Sequence, residues 1–382
     1  MYSLAAHGTM IADRVRMDAY ARALRGAIEP GTVVVDIGTG TGVLAFLACQ
    51  AGAKRVYAIE PGDAIEVARE VAAANGFADR VEFIEALSTR VSLPELADVI
   101  VSDLRGVLPL FRDHLPSIID ARRRFLKPDG VLIPHRDVVW AAVATAPDLY
   151  DAHVAPWERN AYGLDMGAAR RIETNAWRKC QARSIHLLLQ PKCWASLDFA
   201  TIERADVTGE LLWSGVRAGI AHGLILWFDT DLGYDAGFSN APGAPEVLYG
   251  QAFFPWPHAV SLAAGDSVCV SMRATLVGED YVWCWNTRVL DGSEAGRVKA
   301  DFRQSTLSAT PLSASKLARR AADYAPSLNE DGRVDRLILE ALDAHTPLGH
   351  IAAQVLAQFP ARFANWHEAM ARVGDLSVKY SR

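Results

Sequence analysis

The stretch Thr32-Val-Val-Val-Asp-Ile-Gly-Thr-Gly-Thr-Gly-Val-Leu44 limits what this chain can fold into more than any other. A run of β-branched residues opens it, as in a strand buried on both faces. The chain then turns at Gly38, Gly40 and Gly42 and enters an apolar segment, Val43 to Ala51, that reads as a helix. Glycines leave no Cβ in the way, so backbone can lie against a ligand. A helix that starts just after a buried strand also offers free N–H groups.

The spacing is G-x-G-x-G and differs from the G-x-G-x-x-G of pyrophosphate-binding loops. Glu60 ends the next apolar run, Arg55-Val-Tyr-Ala-Ile-Glu60. An acid there is placed to accept both hydroxyls of a ribose. Together these features predict an S-adenosylmethionine (SAM) loop rather than a dinucleotide site.

From 32 to 134 apolar runs alternate with helical segments. Strands are expected at 32–37, 55–60, 80–85, 97–102 and 130–134, and helices at 43–51, 63–75 and 110–125. Such alternation builds a parallel sheet with helices on both faces and a ligand site outside the strands' C-terminal ends. Asp36, Glu60, Ser88 and Asp103 all fall at or just after such ends. Upstream, residues 7–26 read as one helix, with Arg16 and Tyr20 on a shared face. Arg16, taken alone, reads as a solvated charge.

After Pro134 short β-rich runs take over, at 137–144, 184–190, 196–203, 208–217, 219–229, 247–254, 267–276 and 280–289. They predict an antiparallel sheet or barrel. A polar, helical segment at 151–180 interrupts them. Trp256, Trp283 and Trp285 are expected between barrel strands. From about 315 the chain is helical again, with Thr346 as N-cap and Pro347 at the first helical position. The domains expected are 1–134, 135–312 and 313–382.

Charged residues make up 22% and apolar residues 51% of the 382, which excludes a disordered chain. A net charge of −6 argues against nucleic acid as a bulk electrostatic partner. The five cysteines (49, 180, 193, 269, 284) form no C-x-x-C pair and no cluster with histidine. They predict reduced thiols and no metal site. Neither a signal peptide nor an apolar run of membrane length is visible, so a cytoplasmic protein with no membrane partner is expected. The basic run Arg122-Arg-Arg124 reads as a solvated helix face.

An ordered set of motifs over about residues 7–290 resembles the protein arginine methyltransferase family. His7-x-x-Met10-x-x-Asp13-x-x-Arg16-x-x-x-Tyr20 matches its N-terminal helix. Asp36-Ile-Gly-Thr-Gly-Thr-Gly with Glu60 matches its SAM motif. Asp98-Val-Ile-Val-Ser-Asp103-x-x-Gly106 matches the strand into its double-glutamate loop. Trp157-Glu-x-Asn-x-Tyr-Gly-Leu-Asp-Met166 resembles its dimerisation arm, and Phe238-Ser-Asn-Ala-Pro242 with Gln251 the approach to its His-Trp loop.

The resemblance implies a class I SAM-methyltransferase Rossmann-like sheet, a β-barrel with a helical arm, a homodimer, and SAM as cofactor with S-adenosylhomocysteine as product. Arg16 would pair with the SAM carboxylate, Gly38, Gly40 and Gly42 would pack on its methionine and ribose, and Glu60 would bind the ribose. Ser88 and Thr89 fall where the family reads adenine. Met10, Asp36, Pro61 and Asp103 complete the cofactor candidates.

The departures concern the acceptor. The first glutamate is Asp103, the second is Arg112, the loop methionine is Arg105, and the His-Trp pair is Leu248-Tyr249. Asp103, Arg105, Arg112 and Tyr249 are the catalytic candidates. Two opposed charges at about 4 Å attract by roughly 4 kcal/mol at an effective dielectric of 20. Replacing one carboxylate with Arg112 turns that attraction for a guanidinium into repulsion. The expected acceptor is therefore a peptide or protein group other than arginine. Asp103 would act as general base, or Arg105 and Arg112 would dock an anionic acceptor. The simpler alternative is that Arg112 pairs with Asp103 or Asp113 on the helix and shapes an empty pocket. The alternatives are a true arginine methyltransferase, a small-molecule methyltransferase and a non-catalytic SAM-binding scaffold. The C-terminal helices faintly resemble the peptide-binding modules of ribosomal-peptide maturation enzymes, which capture a leader by strand addition or in a helix groove. A capping helical bundle is the simpler expectation for them.

Overall fold

Strand β1 (Val33–Ile37) is buried along its whole length, as its β-branched sequence requires. In the computed structural model, which describes residues 3–160, 162–181, 185–294 and 296–381, it lies at the centre of a five-stranded parallel sheet. β2 (Arg55–Ile59) and β3 (Val81–Ile84) follow on one side, β4 (Ala97–Ser102) and β5 (Leu126–Ile133) on the other, in the order β3-β2-β1-β4-β5. The order reverses between β1 and β4, and a crevice forms outside the strand ends at such a switch point.

Helices α3 (Val43–Ala51), α4 (Ala64–Ala74) and α5 (His114–Phe125) connect the strands. The single helix expected over 7–26 is instead two, α1 (Leu4–Ala12) and α2 (Arg14–Ala27). Asp13 breaks it: its Oδ1 accepts from Arg16 N at 3.1 Å and caps α2. Its Oδ2 accepts from Leu248 N at 2.8 Å, which binds this corner to a distant loop.

Beyond Pro134, β6 (Arg136–Thr145) enters the antiparallel region. The interrupting segment carries α6 (Pro147–His153), α7 (Ala155–Glu158) and α8 (Gly167–Glu173) and ends in β7 (Arg178–Cys180). Then follow β8 (His186–Leu187), β9 (Lys192–Asp198), β10 (Val207–Ser214), β11 (Gly219–Gly233), β12 (Ala236–Ser239), β13 (Gln251–Leu262), β14 (Ser267–Val277), β15 (Asp280–Leu290) and β16 (Val298–Ser305). One sheet runs β7-β13-β11-β6-β8, with β12 on β11 and β9 on β6; the other runs β10-β14-β15-β16. β16 was not among the expected runs. The run expected at 184–190 gives only the short β8 among the described residues, with 184 outside them. Trp256, Trp283 and Trp285 are fully buried, and Phe254 packs edge-on to Trp283 and Trp285 at 5.4 and 5.0 Å. Rings of this size dominate a core energetically.

The solvated face expected at Arg122–Arg124 holds for Arg123, which is exposed, but Arg122 and Arg124 also bind backbone. Arg122 donates to Phe199 O and Ile202 O at 2.6 and 2.7 Å, and Arg124 to Val91 O and Ser88 O at 2.6 and 2.7 Å. Guanidinium forks satisfy carbonyls that loops leave unpaired.

Residues 1–311 pack as one compact unit and 312–382 as another. The second contains α9 (Ala314–Ala318), α10 (Glu330–Asp343), α11 (Leu348–Gln358) and α12 (Trp366–Tyr380), with Val334, Ile338, Ile351, Val355 and Val373 in its core. Asn329 and Asn365 cap α10 and α12 through their side chains. The start of α11 differs from expectation: Pro347 itself takes the cap position at ψ 136°, and Leu348 is the first helical residue. This unit has no strand among its described residues, so strand addition finds no edge there. No described helix is long and apolar enough to cross a membrane.

Candidate functional site

The turn after β1 makes the floor of the site. Gly38 and Gly40 sit at φ +72° and +54°. A Cβ on Gly38 would lie 2.3 Å from Leu104 Cδ2, and one on Gly40 2.6 Å from His7 Cε1. Only glycine takes both that backbone and that closeness. Asp36 holds the turn from below, its Oδ2 accepting from Thr39 Oγ1 at 2.6 Å and Ala45 N at 3.0 Å. Its Oδ1 has no partner, and burial pushes the carboxyl up to about 7. From the end of β2, Glu60 accepts from Gly40 N at 3.1 Å and Gly62 N at 2.9 Å, one amide per oxygen.

The glycine turn and Glu60 bound a cavity of about 660 Å³, within the size range of small-molecule sites. Of the sequence candidates, Met10, Arg16, Gly38, Gly40, Glu60, Pro61, Ser88, Asp103, Arg105, Arg112 and Tyr249 line it. Asp36, Gly42 and Thr89 lie off its wall. Asp36 is beneath the loop; Gly42 caps α3 against Phe46, where a Cβ would come within 2.4 Å of Cζ; Thr89 is exposed.

The mouth opposite the loop is a network of charges. Arg16 is buried, contrary to the solvated reading, and its Nε meets Asp103 Oδ2 at 2.5 Å while Nη1 donates to Met10 O at 2.9 Å. Arg105 Nη1 reaches Asp103 Oδ1 at 2.9 Å. Tyr249 OH lies 2.8 and 2.6 Å from the two oxygens of Asp103. Burial alone would raise the Asp103 carboxyl, but Arg16 and Arg105 outweigh it and hold the group down at about 2. A general base works best near the operating pH. These surroundings weigh against the expected proton-abstracting role of Asp103.

Arg105 has no donor left for an anionic acceptor, which overturns the docking role expected for it. Nε and Nη2 fork onto Asp137 at 2.7 and 3.2 Å, Nη2 also reaches Thr230 Oγ1 at 2.7 Å, and Nη1 reaches Tyr20 OH at 2.7 Å. Burial disfavours its charge, yet Asp137, Tyr20 and Asp103 keep it firmly protonated. Arg112 differs. It is exposed on the rim at φ +43°, its guanidinium 5.4 Å from the Phe111 ring centroid. No described carboxylate lies within ion-pair distance of it, so pairing with Asp103 or Asp113 is not seen.

The loop bearing Tyr249 is fixed from behind. Asn240 Oδ1 accepts from Phe228 N at 2.7 Å, and Gln251 Nε2 donates to Asn240 O at 2.6 Å. Tyr249 stacks on Phe238 with ring centroids 5.9 Å apart. Burial, then Asp103, keeps its phenol well above the usual range.

Sequence reasoning missed His114, Trp177 and Lys179 on the wall and Asp137 and Thr230 behind it. His114 is buried with both ring nitrogens unpartnered, and burial, then Arg105, lowers it to about 3. It is a neutral imidazole at physiological pH. Its nearness to Arg112 in sequence was the one available signal. Nothing local marked Asp137.

Two family models match in tandem: Ribosomal protein L11 methyltransferase (PrmA) over residues 19–134 and Arginine methyltransferase oligomerization subdomain over 135–277. The probable protein arginine N-methyltransferase 6 of Arabidopsis thaliana is 36% identical over 234 residues, 59% of this chain and 54% of that protein. The chain thus spans about half the length of that curated relative. Protein arginine N-methyltransferase PRMT10 of Arabidopsis thaliana is 38% identical over 314 residues, 71% of this chain and 80% of that protein. The crystal structure of Arabidopsis thaliana protein arginine methyltransferase 10 superposes with a TM-score of 0.67 at 26% identity, covering 79% of this chain and 97% of that one. The Trypanosoma brucei PRMT1 enzyme-prozyme complex with AdoHcy shares the fold, with a TM-score of 0.71 at 22% identity over 78% of this chain and 96% of that one. The glycine turn, the acid ending β2 and the antiparallel region that follows all agree with these matches: the chain belongs to the protein arginine N-methyltransferase family.

Proposed function

We propose that this chain is an S-adenosylmethionine-dependent methyltransferase that modifies a side chain of a protein or peptide. One observation carries it: a cavity at the parallel sheet's switch point, floored by glycines that admit no side chain and flanked by Glu60. The residues fit the cofactor. Glu60 keeps a lone pair on each oxygen for ribose hydroxyls. Arg16, with Nε and Nη1 engaged, keeps its Nη2 donors for a carboxylate. Met10, Pro61 and Ser88 line the same wall. When bound, SAM supplies an electrophilic methyl on a sulfonium. Asp103, itself held by Tyr249, then fixes Arg16, and the walls hold the acceptor in line and exclude water.

The relatives' names favour arginine as acceptor, and that alternative has more support than the expectation of a different nucleophile. A second reading, an acceptor other than guanidinium, rests on one observation: both oxygens of Asp103 are already engaged, and Arg112 stands on the rim. Incubation with SAM and arginine-containing peptides, followed by mass localisation of the methyl, separates the two. Methylarginine as main product supports the first; methyl on another residue supports the second. No S-adenosylhomocysteine release over any peptide tried would remove both.

A homodimer through 151–180 belongs to the same proposal, supported by the oligomerization-subdomain match and tested by light scattering. So do the three-part division at 134 and 312 and a peptide-docking role for the C-terminal helices. Loss of peptide affinity with intact SAM uptake after deleting 313–382 would support that role.

A further inference from the structure

The guanidinium of Arg105 sits in surroundings that an external arginine would need. Its side chain is fully buried. All five N–H donors of an arginine find oxygen: Asp137 twice, Asp103, Thr230 and Tyr20. Its Cζ lies 5.7 and 5.8 Å from the ring centroids of Phe228 and Phe238, within cation–π range. A carboxylate fork, a second carboxylate and aromatic faces are the groups that bind a guanidinium tightly.

We propose that Arg105 is a specificity-determining residue: anchored by Asp137, it occupies an oxygen of Asp103 from within the chain and closes the mouth to guanidinium acceptors. This rests on the second reading above. Asp103 lines the cavity, and three donors already share its two oxygens: Arg105 on Oδ1, Arg16 on Oδ2, and the Tyr249 hydroxyl within reach of both. A peptide arginine would have to displace Arg105 from Asp103, and Arg105 is anchored separately by Asp137 and Thr230. The partners span both folding regions, since Tyr20 and Asp103 belong to the parallel-sheet part and Asp137 and Thr230 to the antiparallel part. Changing Arg105 alone would strand Asp137 in a dry interior, so the two must be changed together.

The test uses the full-length Arg105→Met/Asp137→Ala double variant, which removes one charge of each sign. The probe is a Gly-Gly-Arg-Gly-Gly peptide with SAM, read as methylarginine by mass spectrometry. The expected result is a rate at least tenfold above that of the unaltered protein. Equal rates, with the variant folded by circular dichroism, overturn the proposal. Should the variant not fold, calorimetry on the unaltered protein decides. No saturable uptake of the arginine peptide beyond that of its citrulline analogue is expected, and clear preference for arginine overturns the proposal. Uptake of SAM by the unaltered protein is measured in parallel. Its absence would count against methyl transfer itself and not against the role of Arg105.

Discussion

On the loop side of the cavity the polar groups are mostly backbone. Gly38 N and Thr39 N donate to Ile59 O, and Gly40 N and Gly62 N reach Glu60. On the mouth side they are ionised side chains, Arg16, Asp103, Arg105 and Asp137, with Tyr20, Thr230 and Tyr249 around them. Amides belong to every sequence and are placed by where glycine lets the chain turn. Paired charges must be chosen together, because one member alone in a dry interior costs far more than it returns. The glycine turn leaves little room for a side chain, whereas at the mouth the buried Arg105 is matched by Asp137 and Asp103.

The largest test of this contrast is Asp137→Ala. It leaves the buried Arg105 with one carboxylate, and unfolding in denaturant should show a loss of about 3–5 kcal/mol. A loss below about 1 kcal/mol, the scale of an exposed pair, would break the comparison. Next is Gly40→Val, which forces φ +54° on a β-branched residue and drives its Cβ toward His7. Calorimetric SAM affinity should fall roughly 100-fold, or ~2.7 kcal/mol, with the circular dichroism spectrum retained.

The two sides should also titrate in opposite directions. Asp103 is held at about 2, below an ordinary aspartate at ~3.9. Its stabilisation is present above about pH 4 and fades as pH falls toward 2, by roughly 2 kcal/mol. Asp36 is raised to about 7. Its contribution is full below about pH 4 and is lost as pH rises through 7. Thermal unfolding across pH should thus lose its acid limb in Asp103→Asn and its decline between about pH 4 and 7 in Asp36→Asn. The same slope in both variants would refute the opposition. The smallest effect belongs to Arg112→Glu: on an exposed rim it should change stability by no more than about 0.5 kcal/mol. Any larger shift would mean that Arg112 has structural partners after all.

Much of the loop side was legible in sequence. The spacing of Gly38, Gly40 and Gly42 and the acid at 60 depend on local turn geometry, and both lie a few residues from the strands that position them. Helix α3 took its expected bounds for the same reason. Asp13 shows where local patterning stops: it accepts from Arg16 three positions on, and from Leu248 at a separation of 235 residues. The first contact was readable as a cap, and the second was not. Arg122 and Arg124 misled because polarity on a helix predicts water, while the carbonyls they meet come from other segments.

The sequence by itself determined the alternation of strand and helix, the glycine turn and the identities of the charges facing it. Their pairing was decided only by the tertiary structure. Arg105 reaches Asp137 across 32 residues and Thr230 across 125, and no spacing rule spans such distances. A lone arginine in a string reads as a charge offered to a ligand. Buried among two carboxylates, a hydroxyl and a phenol, it has no donor left to offer. The physical reason is that hydrogen-bonding capacity is finite, and only the folded chain fixes which partners exhaust it.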